Sequence, residues 1–173
     1  AYSAEDMADM TRLWSGDFEG NLAVYDYYLP VMVMVAMGLG LNTADLTPDD
    51  LPAIEAALMS LKDSAASVGE VVSSQTAIAT GEVDILVGGG EWVTAGLSAD
   101  LPNLDWIIPD QGAVRWSQSI GVFADSEQPD LALEFVKYVL SPEGQAALAT
   151  SSCYWAMPAN SAAGAALSES QKS

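Results

Sequence analysis

The side chains that most often do chemistry are scarce in this sequence. There is no histidine and only one cysteine, Cys153. Without imidazole, the commonest general base and metal ligand is missing. A lone cysteine makes no internal disulfide and no zinc knuckle, and a single buried thiol is expected. No base motif lies near Cys153 and no Gly-x-Ser-x-Gly elbow occurs, so nucleophilic catalysis lacks its partners. The 24 acidic residues leave paired-carboxylate chemistry open by composition. No motif organises them for it, so the chain is not read as an enzyme, and no cofactor or resident metal is expected.

What the sequence does offer is charge, hydrogen bonding and stacking. Tyr25, Asp26, Tyr27 and Tyr28 run consecutively. They supply aromatic faces and hard oxygen donors of the kind ferric iron takes, although neighbours on a strand alternate between faces and cannot all converge. Asp26 is read either as a ligand-contacting acid or as the cap or first-turn acid of the following helix. Gly88-Gly89-Gly90 sits between a strand and a helix start. Free N–H groups there favour an anion, while the alternative is a tight turn that permits close packing. Glu91, opening that helix, can receive a cation or simply complement the dipole. Arg115 can hold a carboxylate or phosphate in bidentate fashion, or make a surface ion pair; strand alternation sets it opposite Trp116.

The elements that must position these groups follow from periodicity. Glu5 to Trp14 reads as a short amphipathic helix and Asn21 to Asp26 as a strand. Tyr27 to Met37 reads as a helix apolar on nearly every side and therefore buried all round. Thr47-Pro48-Asp49-Asp50 is a helix start, followed by Leu51, Ile54, Leu58 and Leu61 at helical spacing. Val68 to Ala79 reads as helix, Val83 to Val87 as strand, Glu91 to Leu97 as helix and Asp105 to Ile108 as a buried strand. A hairpin turning at Gly112, a strand from Ser119 to Ala124, an amphipathic helix through Phe135 and a second helix from Ser141-Pro142-Glu143 complete the order. Trp14 and Trp106 read as core, and the tail after Asn160 as weakly ordered. This alternation predicts an α/β fold with a mainly parallel sheet.

Length and charge set the outer bounds. The chain has 173 residues and a net charge of -19, enough for one domain with a real core. Such an acidic surface repels nucleic acid and anionic membranes. The longest apolar run, Val31 to Leu41, is too short to span a bilayer. No signal peptide opens the sequence.

Three stretches in order, Leu22 to Pro30 (LAVYDYYLP), Ala79 to Trp92 (ATGEVDILVGGGEW) and Trp106 to Asn160, resemble the extracellular solute-binding proteins of ABC importers. Within that family the resemblance is greatest to the spermidine/putrescine-binding group. It implies a type II periplasmic-binding-protein fold, two α/β lobes closing on a small polar solute in the cleft. Residues 18–115 would form most of the second lobe, 116–154 a crossover packing on a first lobe that is largely missing here, and 155–173 a return segment closing the hinge through Trp155 and Asn160. The implied partners are a small-molecule solute and the membrane permease, and the implied location is periplasmic, with the signal and first lobe cut away. The segment 119–149 would then expose an apolar face able to self-associate.

Carried over position by position, the resemblance makes Asp26 an acidic ligand contact, Trp116 the hairpin tryptophan that stacks on ligand, and Tyr25 or Tyr27 a further stacking ring. Ser74 and Gln75 fall where the family arrangement reaches the cleft. Other positions depart from the polyamine pattern. Leu29-Pro30 stands where a second acid is expected, Gln118 replaces the acid after the tryptophan, and Gly89 replaces an aromatic. The expected solute is therefore polyamine-like or another amine, with an anionic solute held near Arg115, or ferric iron, as alternatives in the same fold.

Overall fold

The structure is a computed structural model that describes residues 2–97, 100–151 and 154–167. The chain divides into two compact units, residues 1–115 and 116–173.

The first unit is built on three parallel strands in the order β2-β1-β3: β1 (Leu22–Tyr25), β2 (Ser67–Gly69) and β3 (Ile85–Val87). Central β1 pairs Val24 with Val68 on one side and with Val87 on the other. A strand hydrogen-bonded on both edges and covered on both faces has no use for alternation, and all four residues of β1 are buried. Leu22 and Val24 join the cluster formed with α1 (Tyr28–Gly38), α2 (Leu51–Ser64) and the 3₁₀ turn Met10–Trp14. Ala23 joins Ala77, Ile78 and Val83 on the opposite face, where α3 (Val71–Ala79) lies. The chain thus crosses from β1 to β2 by way of α1 and α2, then steps over β1 to β3 through α3.

Local chemistry fixes the element starts. The Asp50 carboxylate accepts from the Thr47 N–H at 2.8 Å and its hydroxyl at 2.9 Å, stabilising the turn that leads into α2. Ile54, Ala57 and Leu61 are the buried stripe of that helix. The Glu70 carboxylate accepts from the N–H groups of Val72 at 2.9 Å and Ser73 at 2.8 Å, capping α3.

Several expectations need correction. Val68 is in a strand, not a helix, because Gly69 and the Glu70 cap delay the helix to Val71. The predicted first helix contracts to the 3₁₀ turn Met10–Trp14, started by Asp9 accepting from the Thr11 N–H at 2.9 Å. Helix α1 buries only Val31, Val35 and Ala36, so it is one-sided despite its composition. Its N-cap is Tyr27; Asp26 lies one residue earlier and caps nothing. Residues 105–108 and 119–124 form no strand, and the alternation that opposed Arg115 to Trp116 has no strand to act on. A strand needs a ladder partner, and none pairs with these segments among the described residues. Trp106 is exposed, not core, while Trp14 packs against the main cluster.

The second unit holds α5 (Pro129–Val139), α6 (Pro142–Ala149) and the antiparallel pair β4 (Thr150–Ser151) and β5 (Tyr154–Trp155). Buried Gln145 ties it together: its amide donates to the Val139 carbonyl at 2.8 Å and its oxygen accepts from the Ala159 N–H at 2.8 Å. Asn160 donates to the Leu140 carbonyl at 2.8 Å and caps a 3₁₀ turn over Ser161–Ala165. Ala163 in that turn is wholly buried, so the start of the tail is ordered, contrary to expectation. Cys153 and the tail from residue 168 lie outside the described residues.

Candidate functional site at the carboxyl edge of the sheet

In open α/β sheets the ends of parallel strands face a crevice, because successive crossovers diverge there. Here the carboxyl ends of β1, β2 and β3 bring together Tyr25 to Tyr28, Gly69 and Glu70, and the Gly88 turn. The Asp26 N–H donates to the Gly69 carbonyl at 2.9 Å, which fixes the β1 exit beside β2.

Two groupings result. On the α1–α2 side, an open pocket of about 270 Å³ has apolar walls from Val31, Met32, Leu58, Leu61 and Val68, with Tyr28 beside them. Asp26 and Lys62 are its charged members. On the α3 side, the buried Tyr25 ring stacks on Trp92 at 6.2 Å and 25° and meets Tyr27 at 6.0 Å and 51°. Gln75 donates to the Tyr25 hydroxyl at 3.3 Å. Burial pushes the Tyr25 phenol above its ordinary pKa, the Gln75 hydrogen bond opposes this, and the charges of Tyr27 and Glu70 add to it. A phenol held protonated is the opposite of what a ferric tyrosinate requires.

The sequence-predicted positions therefore separate. Asp26 is exposed and Tyr27 is 51% exposed, so both can meet a ligand, but Tyr25 is a buried floor. Gly88 adopts φ +91°, and a Cβ there would come within 3.2 Å of the Tyr25 Cβ; a Cβ on Gly89 would lie 3.1 Å from Leu86. The glycine turn thus packs closely on its own strand, and helix α4 (Glu91–Leu97) behind it is two turns long. The Glu91 side chain lies outside the described residues. Arg115 is exposed at the end of the first unit. Trp116, 55% exposed, and Gln118, also exposed, belong to the second unit. Ser74 is buried and its hydroxyl donates to Gly69 at 3.4 Å. Sequence reasoning passed over Lys62 and gave Trp92 no role. The only available signal for Lys62 was its rarity, one base among five in the whole chain.

Residues 2–172 match the sequence model of the bacterial extracellular solute-binding proteins. The chain belongs to that family. Among solved structures, this solute-binding chain is similar to the spermidine/putrescine ABC transporter substrate-binding protein PotD of Streptococcus pneumoniae, crystallised with calcium and HEPES. The TM-score is 0.69 at 17% identity, over 95% of this chain and 50% of that one. The solute-binding chain thus has the type II periplasmic-binding-protein fold and spans about half the length of that relative. No curated protein sequence matches it. The family is extracellular, and no helix among the described residues is long and apolar enough to cross a membrane.

Proposed function

We propose that this chain is a ligand-capturing part of an ABC importer's solute-binding protein and that it takes a small amine-bearing solute at the carboxyl edge of its sheet. The observation that carries the reading is Asp26, an exposed carboxylate at the end of the central strand, which lines one pocket together with the exposed ring of Tyr28. A carboxylate beside aromatic faces suits an ammonium group through charge-assisted hydrogen bonding and cation–π attraction. In this reading residues 18–115 are the second lobe, 116–154 cross over and 155–173 return. In this reading Trp116 and Gln118 are further candidate contacts for the solute. Delivery is to a membrane permease from the periplasmic side.

Likeness to a spermidine/putrescine binder supports an amine, while Leu29-Pro30, Gln118 and Gly89 argue for an amine other than a polyamine. Titration calorimetry of the chain against putrescine, spermidine and simple monoamines tests this. Asp26→Asn is expected to weaken amine binding about tenfold or more, the scale of a lost charge-assisted hydrogen bond. Equal affinity in the variant would remove Asp26 from the site. Tighter binding of citrate or a phosphonate than of any amine would transfer the site to an anion and to Arg115.

A further inference from the structure

The pocket beside Asp26 contains more than an ammonium needs. Its walls are aliphatic, its volume is about 270 Å³, and its second charged member is Lys62. Of the bases among the described residues, Arg12 and Lys137 make ion pairs while Lys62 and Arg115 do not, and of those two it is Lys62 that lines this pocket. The chain has 24 acids and five bases, so a lysine would be expected to find an acid. Arg12 pairs with Asp17 at 2.7 Å and lies 3.8 Å from Asp6, and Lys137 pairs with Glu134 at 2.6 Å. Among the described residues, Lys62 has no ion pair, and neither does Asp26. They line the same pocket without bonding each other. An apolar cavity flanked by one free carboxylate and one free ammonium is complementary to a ligand carrying the opposite pair of charges and an apolar body.

We infer that the pocket between α1, α2 and β2 binds a small zwitterion with an apolar side chain, an aliphatic α-amino acid. Its ammonium sits on Asp26, its carboxylate on Lys62, and its side chain against Val31, Leu58 and Leu61. This rests on the amine reading above, which it narrows: both place the ammonium on Asp26, and only this one requires Lys62 and the apolar walls. Polyamines do not fit, since a second cation would meet Lys62.

The test uses the whole chain, with L-leucine, isopentylamine (leucine's side chain and amine without the carboxylate) and putrescine as probes, followed by calorimetry. Leucine is expected to bind more tightly than isopentylamine by about tenfold. Lys62→Gln, a change at an exposed position, should erase that advantage by weakening leucine without weakening isopentylamine. Filling the pocket with Val31→Phe should weaken leucine binding. Isopentylamine or putrescine binding through Asp26 while leucine does not bind would overturn the zwitterion assignment and leave the amine reading standing. Leucine binding that ignores Lys62→Gln would also overturn the assignment. Failure of all three probes, or indifference to Asp26→Asn, would overturn both.

Discussion

Glu70 and Asp26 show how differently two exposed acids act at the ends of neighbouring strands. Glu70 spends its carboxylate on the N–H groups of Val72 and Ser73, and these bonds, together with the Ser73 hydroxyl, hold its pKa below the ordinary 4.5 against a small opposing cost of burial. Asp26 has no such backbone donors and stands open to a ligand. The sign of the linkage follows from the direction of the Glu70 shift. A group whose pKa is lower in the folded state stabilises the fold fully above its ordinary value, and the contribution disappears as pH falls through the lowered one. Glu70→Gln should therefore lower the urea midpoint at neutral pH, and the difference from wild type should shrink as pH falls below the ordinary carboxylate range and through the lowered value. A pH-independent gap would mean that Glu70 acts through packing alone. Tyr25 belongs to the same scale. The sequence made it a candidate stacking ring beside Tyr27, but Tyr25 is the last residue of a strand buried on both faces, whereas Tyr27 lies past the strand end and stays exposed.

Among the elements, the α5–α6 corner is the one whose geometry tolerates least. A Cβ on Gly144 would collide with the Tyr138 carbonyl, and backbone on both sides leaves no soft neighbour to move. Gly144→Ala should cost about 2 kcal/mol or more in chemical denaturation. A change under about 0.5 kcal/mol would show that the corner relaxes. Helices α2 and α6 were legible because each carries its own start signal, Thr47 with Asp50 and Ser141-Pro142-Glu143, and α5 was legible from its amphipathic pattern through Phe135. Strand β2 was not. Three residues ending in glycine have no periodicity of their own, and Val68 sits naturally at the front of the apolar pattern of α3. The strands expected over 105–108 and 119–124 failed for the opposite reason. Their residues have the right composition, but a strand is a property of a pair.

For the whole molecule, charge and apolar exposure work against each other. Helix α5 has no buried residue, and Leu131, Phe135 and Tyr138 lie exposed at helical spacing. Ile120 and Phe123 are exposed as well. Patches of this kind associate, while a net charge of -19 keeps copies apart over about a Debye length. Raising ionic strength shortens that length from about 8 Å near physiological salt to about 3 Å at 1 M. Light scattering coupled to size-exclusion should thus show a mass above 18.1 kDa that grows with salt. Leu131→Glu and Phe135→Glu together should return the chain to a monomer. A monomer at every salt concentration would show that residues 119–149 do not self-associate.

The sequence by itself determined the α/β class, the parallel sheet, the order of most helices and membership in a solute-binding family. Those features rest on local periodicity, capping residues and the order of motifs along the chain. Only the tertiary structure decided which consecutive side chains share a face. It set the rings of Tyr25, Tyr27 and Trp92 together, and brought Asp26 and Lys62 to one pocket. It turned the glycine run from a possible anion cradle into a packed turn. The physical reason is that a site joins residues far apart in sequence. Asp26 and Lys62 are brought to one pocket by two helices and a strand pairing that neither residue encodes alone.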